Sequence, residues 1–495
     1  MVLPFRHAPN TLKPLDTDDA NNARVISPQG NLVIEYQDSS AVSHRWKVSS
    51  QLLMDKSPYF QALLDPEKFA EGRLFAQQRQ NLNEDVNSHH GTGLDLTKSS
   101  PHTLPTFKIT ADKMLEICGV DAVELFLQIM CLEPFLDEGR VEFEDSLKSR
   151  SPSLIARLIE VADWFNSPRF IRNTLRGVGY MFGQRHRSPP GTFNPALLKM
   201  KEDRIRQSII IAHFLQFDLL FETMTHTLLV AGSRFWADGP QRPDTEHLRW
   251  RYLPDGIEEE LYHRRQCVLN TITDLHAYFL RKYGALEDTD ETKPPSNTGT
   301  SLGVAFSTST QTRKFQCRAG LDNASQCDLF HLGQMTRFFS MRAKTVFIGS
   351  TLIDPDFGDD SETEHTNEQR PSSTPSDPPS DITTIIASLK QYPDYQIDPN
   401  HQACGVRRRL LPIIPCIEKY ISDPRSILGI DRQDWDQQPR LWTWKGNPQN
   451  DHSVAIRFAQ ITDIQSPSRF PLMKPVLPKD EARFLFTAKK RNWEA

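Results

Sequence analysis

Cysteine is scarce and scattered: seven residues among 495, an odd number with no C-x-x-C spacing. That excludes a disulfide scaffold and reads as the thiol set of a reducing compartment. Long apolar runs are missing too. The most hydrophobic stretch, Ser208 to Gly232, is broken by His213, Gln216, Asp218, Glu222 and His226, whereas a membrane span needs about 20 mostly uncharged residues. Met1 to Asn10 has no apolar centre of a secretory signal. An intracellular protein of cytoplasm or nucleus, with no membrane partner, is therefore expected. Charge of one sign is lacking as well, with 58 Lys and Arg against 63 Asp and Glu, so no basic field points to nucleic acid. Nor is there a G-x-S-x-G, a P-loop, an H-E-x-x-H or a G-x-G-x-x-G after a strand. No enzyme, catalytic residue, cofactor or metal is expected.

Proline, by contrast, is plentiful, at 35 residues beside a hydrophobic share of only 38%. Packed pieces should therefore alternate with irregular ones. Residues 1–23 read as a disordered tail. A Gln-, Asn-, His- and Ser-rich stretch over 73–103 reads as a loop, and a Thr/Ser/Gly/Pro-rich stretch over 287–312 as a linker. In 354–381, nine acidic residues face Arg370 alone among five prolines, a composition that cannot offset its ordering entropy.

Within 24–182 the pattern is strand, strand, helices, strand, helices. Leu32, Ile34 and Tyr36 alternate with Asn31, Val33 and Glu35, and Trp46 with Val48 marks a second strand, so the two form a hairpin. Ser49 and Ser50 cap a helix that Pro58 breaks in two, with Phe60, Leu63 and Leu64 turned inward. Leu104 to Ile109 is a third strand. Asp121 with Glu124 looks like a capping box, Ser151-Pro152 opens a helix, and a further one runs from Phe170 to Phe182. The fold class is α+β, followed by a mainly helical region over 192–350 and a mixed region over 382–495 with a strand at Val454 to Ile464.

The words of this first module resemble the BTB/POZ family, of the type abundant in filamentous fungi. Arg45-Trp46-Lys47-Val48-Ser49-Ser50-Gln51-Leu52-Leu53 is similar to its strand-to-helix entry, Ser57-Pro58-Tyr59-Phe60 to its S-P-x-F, and Phe69-Ala70-Glu71-Gly72 to its F-x-E-G. Leu158 to Phe165 is similar to its A-D-x-[FY] helix. The resemblance implies a three-stranded sheet with a helix cluster and a role in protein–protein interaction. It further implies a substrate adaptor that binds a cullin scaffold of a ubiquitin ligase and an unknown target. Phe69 and Glu71, with Tyr59 and Phe60 just before them, would form the partner surface. A dimerising nuclear, chromatin-associated regulator is the alternative. Where the family places an Asp and a His that shape its homodimer contact, this chain has Gly30-Asn31 and Ser49.

Further along, Ile257, Leu261, Val268, Ile272, Leu275 and Phe279 form one apolar stripe, with Glu258, Glu259, His263, Arg264 and Arg265 on the wet side. Cys317, Cys327 and His331, with Cys404 and Cys416 beyond, are weighed as zinc ligands. Lacking a close Cys pair, they read as structural cysteines, with His331 a satisfied helix histidine. Arg407-Arg408-Arg409 and Lys489-Lys490-Arg491 read as solvated faces.

Overall fold

The computed structural model describes residues 23–38, 41–88, 104–109, 113–132, 137–183, 191–236, 239–240, 248–283, 317, 324–343, 381–402, 404–437, 443–444, 478–488, 491 and 493. Most of the tail, the 287–312 stretch, nearly all of the acidic stretch and the strand expected at 454–464 lie outside them. The chain is mixed α/β and mostly helical, and divides into two compact units: Met1–Pro189 with Pro243–Tyr252, and Pro190–Arg242 with Leu253–Ala495. Among the described residues no helix is long and apolar enough to cross a membrane.

The first unit holds a four-stranded sheet, β1 (Arg24–Val25), β2 (Leu32–Gln37), β3 (Ser43–Val48) and β4 (Thr106–Ile109), ordered β1-β3-β2-β4. β2 and β3 are the expected hairpin, with Leu32 opposite Val48 and Ile34 opposite Trp46, and β4 runs parallel to β2. The alternation is only half right about burial. Leu32, Ile34 and Tyr36 are inside, but so is Val33, which joins Ala23 and Leu104 in a small cluster. Gly30 precedes β2 because a Cβ there would lie 2.7 Å from the Val48 carbonyl oxygen.

Next come α1 (Ser50–Lys56) and α2 (Pro58–Leu63), and Pro58 divides them as expected. The Ser49 hydroxyl accepts from the Leu52 N–H, and the Ser57 hydroxyl from the Phe60 N–H. After them the loop expected over 73–103 is corrected over 73–88, where α3 (Ala70–Ser88) is a 19-residue helix, and 89–103 lie outside the described residues. Ala, Glu, Arg, Leu and Gln are strong helix formers, and their polarity does not make a loop. Beyond β4, α4 (Lys113–Cys118) leads to α5 (Val120–Met130), which starts at Gly119 with no side-chain cap. Asp121 is drawn away from capping by a two-pronged hydrogen bond from Arg157, at 2.8 and 2.7 Å, while Glu124 accepts from Arg24. α6 (Asp137–Lys148), α7 (Pro152–Trp164, capped by Ser151) and α8 (Pro168–Gly177) complete the cluster. α8 stops short of Phe182, since Gly179 turns to φ +69°.

Phe165 centres the core, stacked between Phe60 at 5.1 Å and Phe126 at 4.8 Å. At the unit's edge the Arg249 backbone donates to Glu160. Burial pushes that carboxyl up to about 7, against the opposing pull of Arg249.

The second unit packs α9 (Glu202–Leu215), α10 (Asp218–Ala231) and α11 (Ile257–Lys282). The α11 stripe is buried throughout, but its expected wet face is not wet: Glu258, Arg264 and Arg265 are buried too. Each has found a partner. Glu258 takes both prongs of Arg206, while Arg264 and Arg265 donate to main-chain carbonyls of Leu428, Gly429, Leu229 and Val230. α12 (Ala324–Arg337) runs into a π turn at Phe338–Arg342, and α13 (Ile382–Lys390) is capped by Asp381. The acidic stretch therefore ends in an ordered residue. α14 (Arg407–Leu410) spends two of its basic residues internally, Arg407 donating to the Tyr392 carbonyl and Arg409 to the Tyr283 hydroxyl, while Arg408 is exposed. Arg491 likewise donates to Leu485 and Phe486 carbonyls.

Candidate functional site

In the first unit Asp65 organises the turn between α2 and α3. Its carbonyl oxygen accepts from the Lys68 and Phe69 N–H groups, and its side chain from Glu67. That backbone hydrogen bond, reinforced by Lys68, holds the carboxyl below the usual carboxylate range. The turn is closed by Gly72, where a Cβ would lie only 2.2 Å from the Asp65 carbonyl oxygen. Only glycine admits this approach, which explains the last position of Phe69-Ala70-Glu71-Gly72.

This turn leaves Phe69 49% exposed, and Leu74 on the next turn of α3 is exposed as well. Tyr59 lies half-buried, its ring 5.3 Å from Phe60 and 5.4 Å from Trp164. Burial, and then the Glu71 charge, raise its hydroxyl above the ordinary tyrosine value. The Glu71 charge thus reaches Tyr59, and Phe69 precedes Glu71 by two residues. Phe60 is different: it is fully buried and stacked on Phe165, so it supports the surface from beneath and is removed from the set of partner contacts. Beside them an open groove of about 560 Å³ lies between α1, α2 and α3, lined by Met54, Leu64, Phe75 and Arg79 among others.

The second unit holds a convergence that sequence spacing concealed. Cys317, Cys327, His401 and Cys404 are all buried, and their donor atoms lie within 4.8 Å of one another. The Cys317 Sγ stands 3.2 Å from His401 Nδ1 and 3.8 Å from Cys404 Sγ. No cysteine is in a disulfide. Cys327 comes from the first turn of α12, and His401 and Cys404 from a tight turn in which the Cys404 N–H donates to the His401 carbonyl. Asp398 caps that turn, accepting from the Asn400 and His401 N–H groups, and its other oxygen lies 3.8 Å from His401 Nε2. Burial, and then the Cys317 and Cys404 thiols, push the Cys327 thiol upward.

His331, the histidine expected beside Cys327, is outside this set. It is fully buried, with neither ring nitrogen hydrogen-bonded among the described residues, and lies against Tyr283. Cys416 is also outside. The missed member is His401, and its signal was the spacing His401-x-x-Cys404. An imidazole and a thiol three positions apart can close on one centre as two thiols do.

Comparison with known family models, with curated proteins and with solved structures finds no match for this chain.

Proposed function

We propose that this chain is a non-enzymatic interaction protein whose N-terminal unit is BTB/POZ-like and docks a partner protein through Tyr59, Phe69 and Glu71. The observation that carries the reading is the turn built by Asp65 and Gly72, which spends a close backbone approach to hold a large aromatic half in water. A half-exposed aromatic beside a carboxylate is the composition of an interface anchor with a polar edge. The hairpin, the crossover strand and the S-P-x-F helix pair support the family reading.

The partner proposed is a cullin scaffold. Purified full-length chain titrated with the N-terminal part of a cullin by calorimetry should bind, and Phe69→Ala with Glu71→Lys should weaken binding at least about tenfold. Absence of binding by the wild type refutes the cullin assignment. Unchanged affinity of the double variant refutes the surface.

A further inference from the structure

We propose that Cys317, Cys327, His401 and Cys404 bind zinc as a closed, structural Cys3His centre in the second unit. Nothing in the proposed docking surface depends on it.

The geometry is close to what the ion requires. With Zn–S near 2.3 Å and Zn–N near 2.0 Å, a tetrahedron has S···S edges of about 3.8 Å and S···N edges of about 3.5 Å. The Cys317–Cys404 sulfur separation is 3.8 Å and the Cys317–His401 separation 3.2 Å. A disulfide would need its sulfurs about 2.05 Å apart, so this pair is unbonded, and its spacing matches the edge of the zinc tetrahedron. Three thiolates and one imidazole form a soft, four-donor set that selects zinc over calcium or magnesium. They also fill its coordination shell, leaving no open position for catalysis.

The histidine decides between this reading and mere packing of small hydrophobic thiols. Buried cysteines often cluster without a metal, and these three do form a buried cluster. Packing of apolar thiols does not call for an imidazole, yet His401 meets the Cys317 thiol with Nδ1 and faces Asp398 with Nε2 at 3.8 Å. A metal-binding imidazole uses one nitrogen for the ion and directs the other N–H to a carboxylate, which sets tautomer and orientation. Asp398 holds the turn with one oxygen and faces the ring with the other. Gly405, directly after Cys404, leaves room for a tight turn, since a Cβ there would lie 3.1 Å from Asp394 Oδ1.

Each of the three thiols releases its proton to solvent, His401 donates as the neutral imidazole, and Zn²⁺ with three thiolates gives a centre of net charge −1. The ion ties Cys317 and Cys327 to a turn 84 residues beyond Cys317, closing a long loop that chain entropy otherwise opposes.

The test uses the full-length chain purified without chelator, assayed for zinc by mass spectrometry and then exchanged into cobalt(II). One equivalent of zinc is expected, with cobalt giving the intense visible bands of a tetrahedral site and a thiolate-to-metal charge-transfer band. No bound zinc and no such bands would overturn the proposal. Alkylation with iodoacetamide, before and after a zinc chelator, locates the site without relying on variants that fail to fold. Chelator should expose Cys317, Cys327 and Cys404 while leaving Cys416 unchanged. An equal response at every cysteine, or none, contradicts the assignment. His401→Ala should lose the metal and His331→Ala should keep it. The reverse outcome would overturn the ligand set.

Discussion

The Ser57 hydroxyl donates a 2.8 Å hydrogen bond to the Phe165 carbonyl oxygen, 108 residues away in the chain. The same oxygen of Ser57 accepts from the Phe60 N–H and so caps α2. Two sequence words that lie far apart, Ser-Pro-x-Phe and Ala-Asp-Trp-Phe, are therefore one structural joint, closed by the stacking of Phe60 on Phe165. Ser57→Ala removes the cap and one donor, but Ser167 still donates to the Phe165 carbonyl at 2.9 Å. The acceptor is not orphaned, so the expected cost is about 1–2 kcal/mol and not the larger penalty of a buried unpaired group. Urea unfolding monitored by Trp fluorescence measures it, and a change within about 0.3 kcal/mol would show that the joint contributes nothing.

Phe60 and Phe69 stand nine positions apart and should respond in opposite ways. Phe60→Ala opens a cavity in the fully buried stack and should destabilise the first unit by about 3–5 kcal/mol. Phe69→Ala truncates a ring already 49% exposed and should cost less than about 1 kcal/mol. Equal losses would mean that Phe69 is a core residue and the surface assignment is wrong.

Acid should weaken the second unit through its buried histidines. His226 donates from Nε2 to the Ile421 carbonyl and accepts at Nδ1 from the Leu428 N–H, so it is held neutral. Burial pushes it from 6.5 down to about 4 and pushes His276 down to about 3. Both folded values are depressed, so the unfolded chain takes up protons first. Their stabilisation is complete above about pH 6.5 and is lost as pH falls toward 4, roughly 3 kcal/mol for His226 alone. Calorimetric unfolding between pH 7.5 and 4.5 checks the sign, and a second unit that gains stability on acidification would contradict it.

His276 offers a sharper version. It stacks on Phe339 at 4.2 Å, and among the described residues neither of its ring nitrogens has a hydrogen-bond partner. His276→Phe removes a buried polar group that gains nothing. The variant should be more stable by about 1 kcal/mol at pH 8, and the advantage should widen at pH 5, where wild-type unfolding is favoured by protonation. A destabilised variant at both pH values would contradict the view that the buried imidazole gains nothing.

Much of the first unit was legible because its signals are local. Ser49, Ser57 and Ser151 announce helix starts, Pro58 announces the break between two helices, and the period-two pattern of Leu32, Ile34 and Tyr36 announces a strand. The reading failed where tertiary partners decide. Arg264 and Arg265 look solvated until carbonyls at residues far along the chain receive them. Asp121 looks like a cap until Arg157 takes both its oxygens. α3 is obscured for another reason: its Gln and Asn content suggests a loop, while their Ala, Glu, Arg and Leu neighbours favour a helix. At the candidate sites Phe69 and Glu71 could be named from their motif, but the Gly72 approach to Asp65 that exposes Phe69 could not. The Cys and His set was hidden by distance, since no spacing rule joins Cys317 to a histidine 84 residues later.

Hydrogen–deuterium exchange on the full-length chain, with and without the N-terminal part of a cullin, tests the docking proposal most directly. Added cullin should slow exchange in peptides covering Asp65 to Arg79, where the Asp65 turn, Phe69 and the start of α3 lie. The Phe69→Ala, Glu71→Lys variant should show no such protection. Unchanged exchange across that segment in the wild type, or protection confined to other peptides, would contradict the account.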